Sequence, residues 1–280
     1  MHRRKMRLTI AALTVAVVSA LLAAVAVAAT IDGTDRNEFL RGTNGDDTIN
    51  GNGGRDRIVA RAGNDAVTGG AGRDALFGWG GNDTMSGGDA RDYIVGNQGD
   101  DVLAGDNGDD RVFAGPGNDQ VTGGDGRDRL HGGDGNDQID GGPGRDLISG
   151  GQGDDVSRGG DGNDRIFANV GVDESFGGNG DDDLWALARG DVSGPGDVVG
   201  DTLHGEAGND TFHTRDGEAD KIDCGDGNDR ALLDNVDVIV DATATNPNGS
   251  CEKVERKDPK TKDDQSENST QNQSGDNQHK

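Results

Sequence analysis

An all-β solenoid of short strands and tight turns is the fold class this sequence predicts, and three observations carry the prediction. A period of nine residues runs without a gap from Gly42 to Trp185, sixteen units in all, which is the signature of a repeat architecture. Within each unit, glycine, aspartate and one large apolar residue hold fixed places. The chain has 51 glycines against 6 Phe, 2 Trp and 1 Tyr, too little apolar material for an ordinary layered core.

Typical units run from Gly132 to Asp140 and from Gly159 to Phe167. Position one is glycine except at Ala60, Ala114 and Ala168, and position four is glycine except at Ala90. Glycine reaches positive φ without a Cβ clash, so these places let the chain turn tightly and aim its carbonyls at one point. Position six is aspartate in all sixteen units, closing each turn with a short charged oxygen ligand. Carboxylates plus carbonyls are the donor set of a hard cation such as calcium. Position eight is large and apolar except at Ser157 and Ser175, with mostly polar neighbours. That alternation predicts a short strand with position eight facing inward.

A second period of eighteen predicts two units per coil. At position five, Arg55, Arg73, Arg91, Arg127 and Arg145 fall in alternate units, while Asp46, Asn64, Asn82, Asp100, Asn118, Asn136 and Asp154 occupy the others. One edge is therefore arginine-rich, and its cations are expected to weaken cation binding there, giving two classes of site. Position nine alternates as well: Val59, Phe77, Val95, Phe113, Phe167 and Trp185 in one class, Asn50, Thr68, Ser86, Thr122, Asp140 and Arg158 in the other. The face showing Phe77, Tyr93, Phe113, Phe167 and Trp185 beside Arg57, Arg111, Arg129 and Arg165 is the candidate partner surface, unless these are simply good strand formers.

The pattern G-G-x-G-x-D-x-U-x over these units resembles the nonapeptide of the repeats-in-toxin (RTX, haemolysin-type) calcium-binding family. The resemblance implies a right-handed parallel β-roll, a β-helix solenoid with two repeats per turn and calcium held between stacked turns, roughly one ion per repeat. Carried onto this chain, it makes the position-six residues Asp47, Asp56, Asp65, Asp74, Asp83, Asp92, Asp101, Asp110, Asp119, Asp128, Asp137, Asp146, Asp155, Asp164, Asp173 and Asp182 the side-chain ligands, with Asp210 of the later unit Gly205 to His213. Carbonyls of positions one, three and five would complete each shell. Stacking sixteen units this way gives about fourteen internal ions, close to +28 in charge. The chain carries −26, and −30 without the four cations Arg3, Arg4, Lys5 and Arg7, so the ions would nearly neutralise it and folding and binding should be one event.

The ends depart from the pattern. Residues 1–29 have a basic start, an uncharged run from Leu8 to Ala29 and an A-x-A site at Ala26–Ala28, which predicts a secretory signal peptide or, failing cleavage, a membrane anchor. The rest is then expected to be secreted and extracellular, or held at the cell surface, with membrane contact only during export. Residues 30–41 contain a degenerate unit with Glu38 and Leu40 at the aspartate and apolar places, an N-terminal cap. Residues 186–204 break the phase around Gly194-Pro-Gly196 and read as a loop insertion, and residues 205–256 as degenerate repeats with a C-terminal cap. In that cap Val236, Val238 and Val240 alternate as a strand, and Asp220, Ile222 and Asp229 continue the theme less regularly. Cys224 and Cys251 can form one intrachain disulfide in an oxidising compartment, or remain a free buried pair. Residues 257–280 read as a disordered tail.

No catalytic site is legible. Beyond the first segment the histidines are His131, His204, His213 and His279, with neither H-E-x-x-H nor a nucleophile motif, so the chain is not expected to be an enzyme. The acidic charge argues against nucleic acid as a partner. The partners expected are calcium ions and a cell surface, a polysaccharide or a second copy of the chain. The bland alternative, a disordered polyanion, is opposed by the strictness of the period.

Overall fold

The computed structural model describes residues 27–186, 200–243, 246 and 249–257. The expected signal segment lies outside them except for its last residues, and so does the expected tail beyond Lys257. The described residues form no helix, only short strands in two sheets of thirteen and twelve strands.

From Thr30–Asp32 to Asp183–Trp185, strands eighteen residues apart pair in parallel, as in Arg57↔Ala75 and Ile58↔Leu76, and consecutive strands alternate between the sheets; beyond Trp185 the parallel pairing continues at less regular spacing. Two units therefore make one coil of a β-roll, as the second period requires. The strands are longer than the expected triplets. Ala75–Gly80 and Tyr93–Gln98 are typical: each spans positions seven to nine and continues through positions one to three of the next unit. The extension follows from backbone pairing, because the position-one N–H of Gly51 donates to the position-nine carbonyl of Thr68 in the next coil, at 2.8 Å.

Position-eight side chains fill the space between the sheets, and Ile58, Leu76 and Ile94 on one sheet and Ile49, Met85 and Leu103 on the other are fully buried. The core is only these two rows wide, so backbone pairing carries much of the order. It is also interrupted. Ser157 and Ser175 pair in register, are buried, and have Oγ atoms without a hydrogen-bond partner among the described residues. The apolar core splits there into one cluster ending at Ile148 and Ile166 and another beginning at Leu184.

Turn geometry needs glycine most at position four. At Gly72, with φ of 127°, an added Cβ would lie 1.6 Å from the carbonyl oxygen of Gly54 in the preceding coil. Position two also takes positive φ, which the sequence pattern hides because residues such as Asn52, Arg61 and Trp79 sit there with φ of 71°, 99° and 86°.

The ends of the roll depart from the regular repeat. Phe39–Arg41 pairs with the strand starting at Arg57, and Leu40 packs on the core. Residues 187–199 of the expected insertion lie outside the described residues, but its last part is not loop: Thr202–Gly208 is a strand paired with Glu174–Asn179, and Leu203 is buried. In the C-terminal cap, Val236, Val238 and Val240 are exposed. They point outward, while Ile239 and Asp237 are buried, because Asp237 takes the position-six place and so puts Ile239 at position eight. Cys224 and Cys251 are joined as a disulfide.

Candidate metal centre

Each position-six aspartate ends a turn just before a strand, and the ladder fixes its backbone. The carbonyl of Asp47 accepts the N–H of Ala66 at 2.8 Å, and the N–H of Asp47 donates to Oδ1 of Asp65 at 2.7 Å. The same link joins Asp56 to Asp74, Asp83 to Asp101 and Asp146 to Asp164. The sixteen carboxylates thus form two buried columns, one per edge, each at most 4% exposed.

That arrangement uses one oxygen of each carboxylate and strands the other. Oδ2 is buried without a hydrogen-bond partner at every ninth residue from Asp56 to Asp182, and again at Asp210, Asp220 and Asp229. An unmade bond to a buried polar group costs about 1–3 kcal/mol, more when charged, so such a series needs a missing partner. The ends of the columns show the contrast. At Asp47, Oδ2 accepts the N–H of Thr43 at 2.5 Å. At Asp237, Oδ2 accepts from Thr214 Oγ1 and from the N–H of Asp234, both at 2.7 Å. Glu38, in the cap, accepts the N–H of Thr34 in the same manner. Among the described residues, donors reach this oxygen at the ends of the columns and none do so from Asp56 to Asp182.

The stranded oxygens and the carbonyls of the next coil both lie close over the position-one glycines, where a side chain would collide with them. A Cβ added to Gly105 would lie 2.6 Å from Asp110 Oδ2 and 2.5 Å from the carbonyl oxygen of Gly123 in the next coil, and Gly69 meets Asp74 and Gly87 in the same way. Position-one carbonyls therefore face the carboxylates, as expected. Position-three carbonyls are partly engaged: Ala71 O accepts the N–H of Gly54 at 2.9 Å. Position-four carbonyls also point along the stack, as Gly54 O does toward Gly72.

Without a cation the columns are electrostatically costly. Burial first, then neighbouring carboxylates, pushes Asp83 and Asp101 up to about 7, Asp92 to about 8 and Asp173 to about 9, against partial relief from backbone N–H groups. The arginine edge relieves little of this. Arg145 lowers Asp164, but Arg91 is turned to Asp109 at 2.7 Å on the exposed rim.

The columns run further than the sequence pattern. Asp173 donates to Asp201 and Asp182 to Asp210, each across 28 residues, and the chain of bonds continues to Asp220 and Asp229. Asp201 was hidden by the extra ten residues of the insertion, although Asp201-Thr202-Leu203 carries the unit's ending. On the second edge the position-five alternation also has a structural meaning: Asn82 N–H donates to Asn64 Oδ1 and Asn118 N–H to Asp100 Oδ1, an exposed ladder beside the buried one.

Among the described residues, no three His, Cys, Asp or Glu side chains gather as a metal shell, so the backbone must supply most donors to any ion here. An all-oxygen set of one carboxylate and several carbonyls suits calcium and is unlike the nitrogen and sulfur sets of zinc. Known proteins agree. A family model described as RTX calcium-binding nonapeptide repeat (4 copies) matches residues 32–67, 51–85, 60–94, 86–121, 114–148, 122–157, 149–184 and 196–231. Comparison with curated proteins finds no match. The stranded carboxylates, the β-roll around them and the family matches together make this chain a member of the RTX calcium-binding nonapeptide repeat family, a calcium-binding repeat protein.

Proposed function

We propose that this is a secreted protein whose roll folds on binding calcium and then serves as a structural or surface-interaction module outside the cell. The carrying observation is the series of buried Oδ2 atoms from Asp56 to Asp182 that meet no donor among the described residues. Calcium supplies divalent charge and open coordination sites. Position-six aspartates, with the position-one and position-four carbonyls of neighbouring coils, would hold it. Repulsion along each column then becomes attraction, so ordering the chain and filling the sites are coupled. The basic, then apolar, segment of residues 1–29 supports export into a calcium-rich exterior, where weak sites of about 10⁻⁴ to 10⁻³ M suffice. In calcium-poor cytosol the chain would stay unfolded.

Equilibrium dialysis of calcium against the chain and an Asp92→Asn, Asp110→Asn variant tests this reading. Many ions bound cooperatively, with fewer and weaker ones in the variant, is the expected result; no difference, or no cooperative binding, contradicts it. A second reading, an adhesin or matrix protein stiffened by calcium, is favoured by the aromatic residues and arginines that share the outer face of the twelve-stranded sheet.

A further inference from the structure

The outer face of the twelve-stranded sheet is unlike the rest of this acidic chain. Its outward positions, seven and nine of each unit, hold no acidic residue from Phe39 to Phe167, although the whole chain carries −26. The other sheet has Asp32, Asp140 and Glu174 at the same positions. Arg111 and Arg129 sit directly opposite each other on adjacent strands, and neither has an ion-pair partner among the described residues. Like charges in register repel, and nothing acidic in the described chain is brought up to relieve them.

An aromatic row runs beside these cations along the roll. Phe77, Tyr93, Phe113 and His131 lie with ring centroids 5.9, 5.7 and 6.3 Å apart, and Arg57 covers Phe77 at 5.2 Å. Two residues beyond Phe77, Trp79 is 54% exposed, with Arg61 its register partner. Both occupy the positive-φ place where glycine stands in many units, at φ of 86° and 99°. A bulky residue there costs about 1–2 kcal/mol relative to glycine, and strain kept at an exposed aromatic and an arginine points to use rather than packing.

We propose that this face, from Arg57 to His131, binds an acidic polysaccharide. Sugar carboxylates would pair with Arg61, Arg111 and Arg129, and apolar sugar faces would lie over Trp79 and Tyr93. The strand repeat of about 4.8 Å presents these groups at intervals close to one ring of an extended glycan. Stacked nucleic-acid bases fit less well. The rings of the row are inclined 58°, 52° and 68° to one another, so neighbouring rings present no parallel faces between which a base could stack. The proposal rests on the calcium-folded roll, since only the folded sheet assembles the row.

The test uses the full chain in constant, saturating calcium, with a glucuronate-containing octasaccharide, its carboxyl-reduced neutral form and a single-stranded oligonucleotide as probes. Binding is read by titration calorimetry, and folding by circular dichroism on the same samples. Only the acidic octasaccharide should bind, and Trp79→Gly and the pair Arg111→Ser, Arg129→Ser should each weaken it about tenfold, the scale of one lost contact. Trp79→Gly should also raise the urea midpoint, since glycine relieves the strained backbone; lost binding in a more stable protein excludes misfolding as the cause. Equal binding of the neutral sugar, unchanged binding in the variants, or no binding by the folded chain overturns the proposal. Preference for the oligonucleotide overturns the choice of partner. If calcium fails to induce β structure at all, the proposed function fails and this surface falls with it.

Discussion

The N–H of Asp92 donates to Oδ1 of Asp110 at 2.7 Å, while Oδ2 of the same carboxylate is buried, unpartnered, and aimed with the Gly123 carbonyl at the space over Gly105. One oxygen holds the stack, and the other is the proposed cation ligand. Asp110→Asn keeps the first role and weakens the second. Urea unfolding in millimolar calcium should show a loss of about 2 kcal/mol, whereas Asp47→Asn, where Thr43 already serves Oδ2, should lose well under half of that. Equal losses at the two positions would mean that the stranded oxygen has no special role.

Acid should replace calcium in part. Unfolded aspartates titrate near 3.8, but burial raises Asp83 to about 7 and Asp173 to about 9 in the cation-free roll. Between those values the folded state takes up protons that the unfolded state does not hold, so cation-free stability is greatest at or below 3.8 and is lost as pH rises toward about 9. In chelator, β content should therefore be higher near pH 5 than near pH 8. Protons and calcium compete for the same oxygens, so the calcium midpoint should rise on acidification. A cation-free chain equally unstructured at both pH values would contradict this.

Position four can be tested in both directions. Gly72→Ala places a Cβ against the Gly54 carbonyl at a φ of 127° and should cost at least 3 kcal/mol, on the order of a severe backbone clash. Ala90→Gly, at the one unit that lacks this glycine, removes a strained φ of 78° and should stabilise by about 1 kcal/mol. Thermal melts in calcium read both changes.

Filling the weak stretch should help. Ser157 and Ser175 bury unpartnered hydroxyls where other coils place Ile139 and Leu203 in the same register. The double change Ser157→Val, Ser175→Val should raise stability by about 2 kcal/mol and join the two core clusters into one cooperative unit. A separate early melting step in the parent chain, absent from the variant, would show the join directly.

Much of the roll was readable because its period is strict: position eight gave the core rows, and the recurrence of Arg55, Arg73 and Arg91 gave two units per coil. Three features were not. Position two carries no composition signal, since Asn, Arg, Trp and Gly all occur there, yet it needs positive φ. The phase after Trp185 was lost to inserted residues, which hid Asp201 at the place where the ladder resumes. Val236, Val238 and Val240 show an alternation that does not by itself tell which residues face inward, whereas counting from Asp237 puts Ile239 inside. In each case the ladder of backbone bonds, rather than side-chain character, decides the outcome.

The most direct test of the account is far-ultraviolet circular dichroism of residues 30–280, first in chelator and then through calcium to several millimolar, with magnesium in parallel. The account predicts a cooperative change from coil to β structure with calcium and none with magnesium, whose small octahedral shell the wide carbonyl-lined turns do not match. A chain that stays unordered at high calcium, or that folds equally well with magnesium, would contradict it.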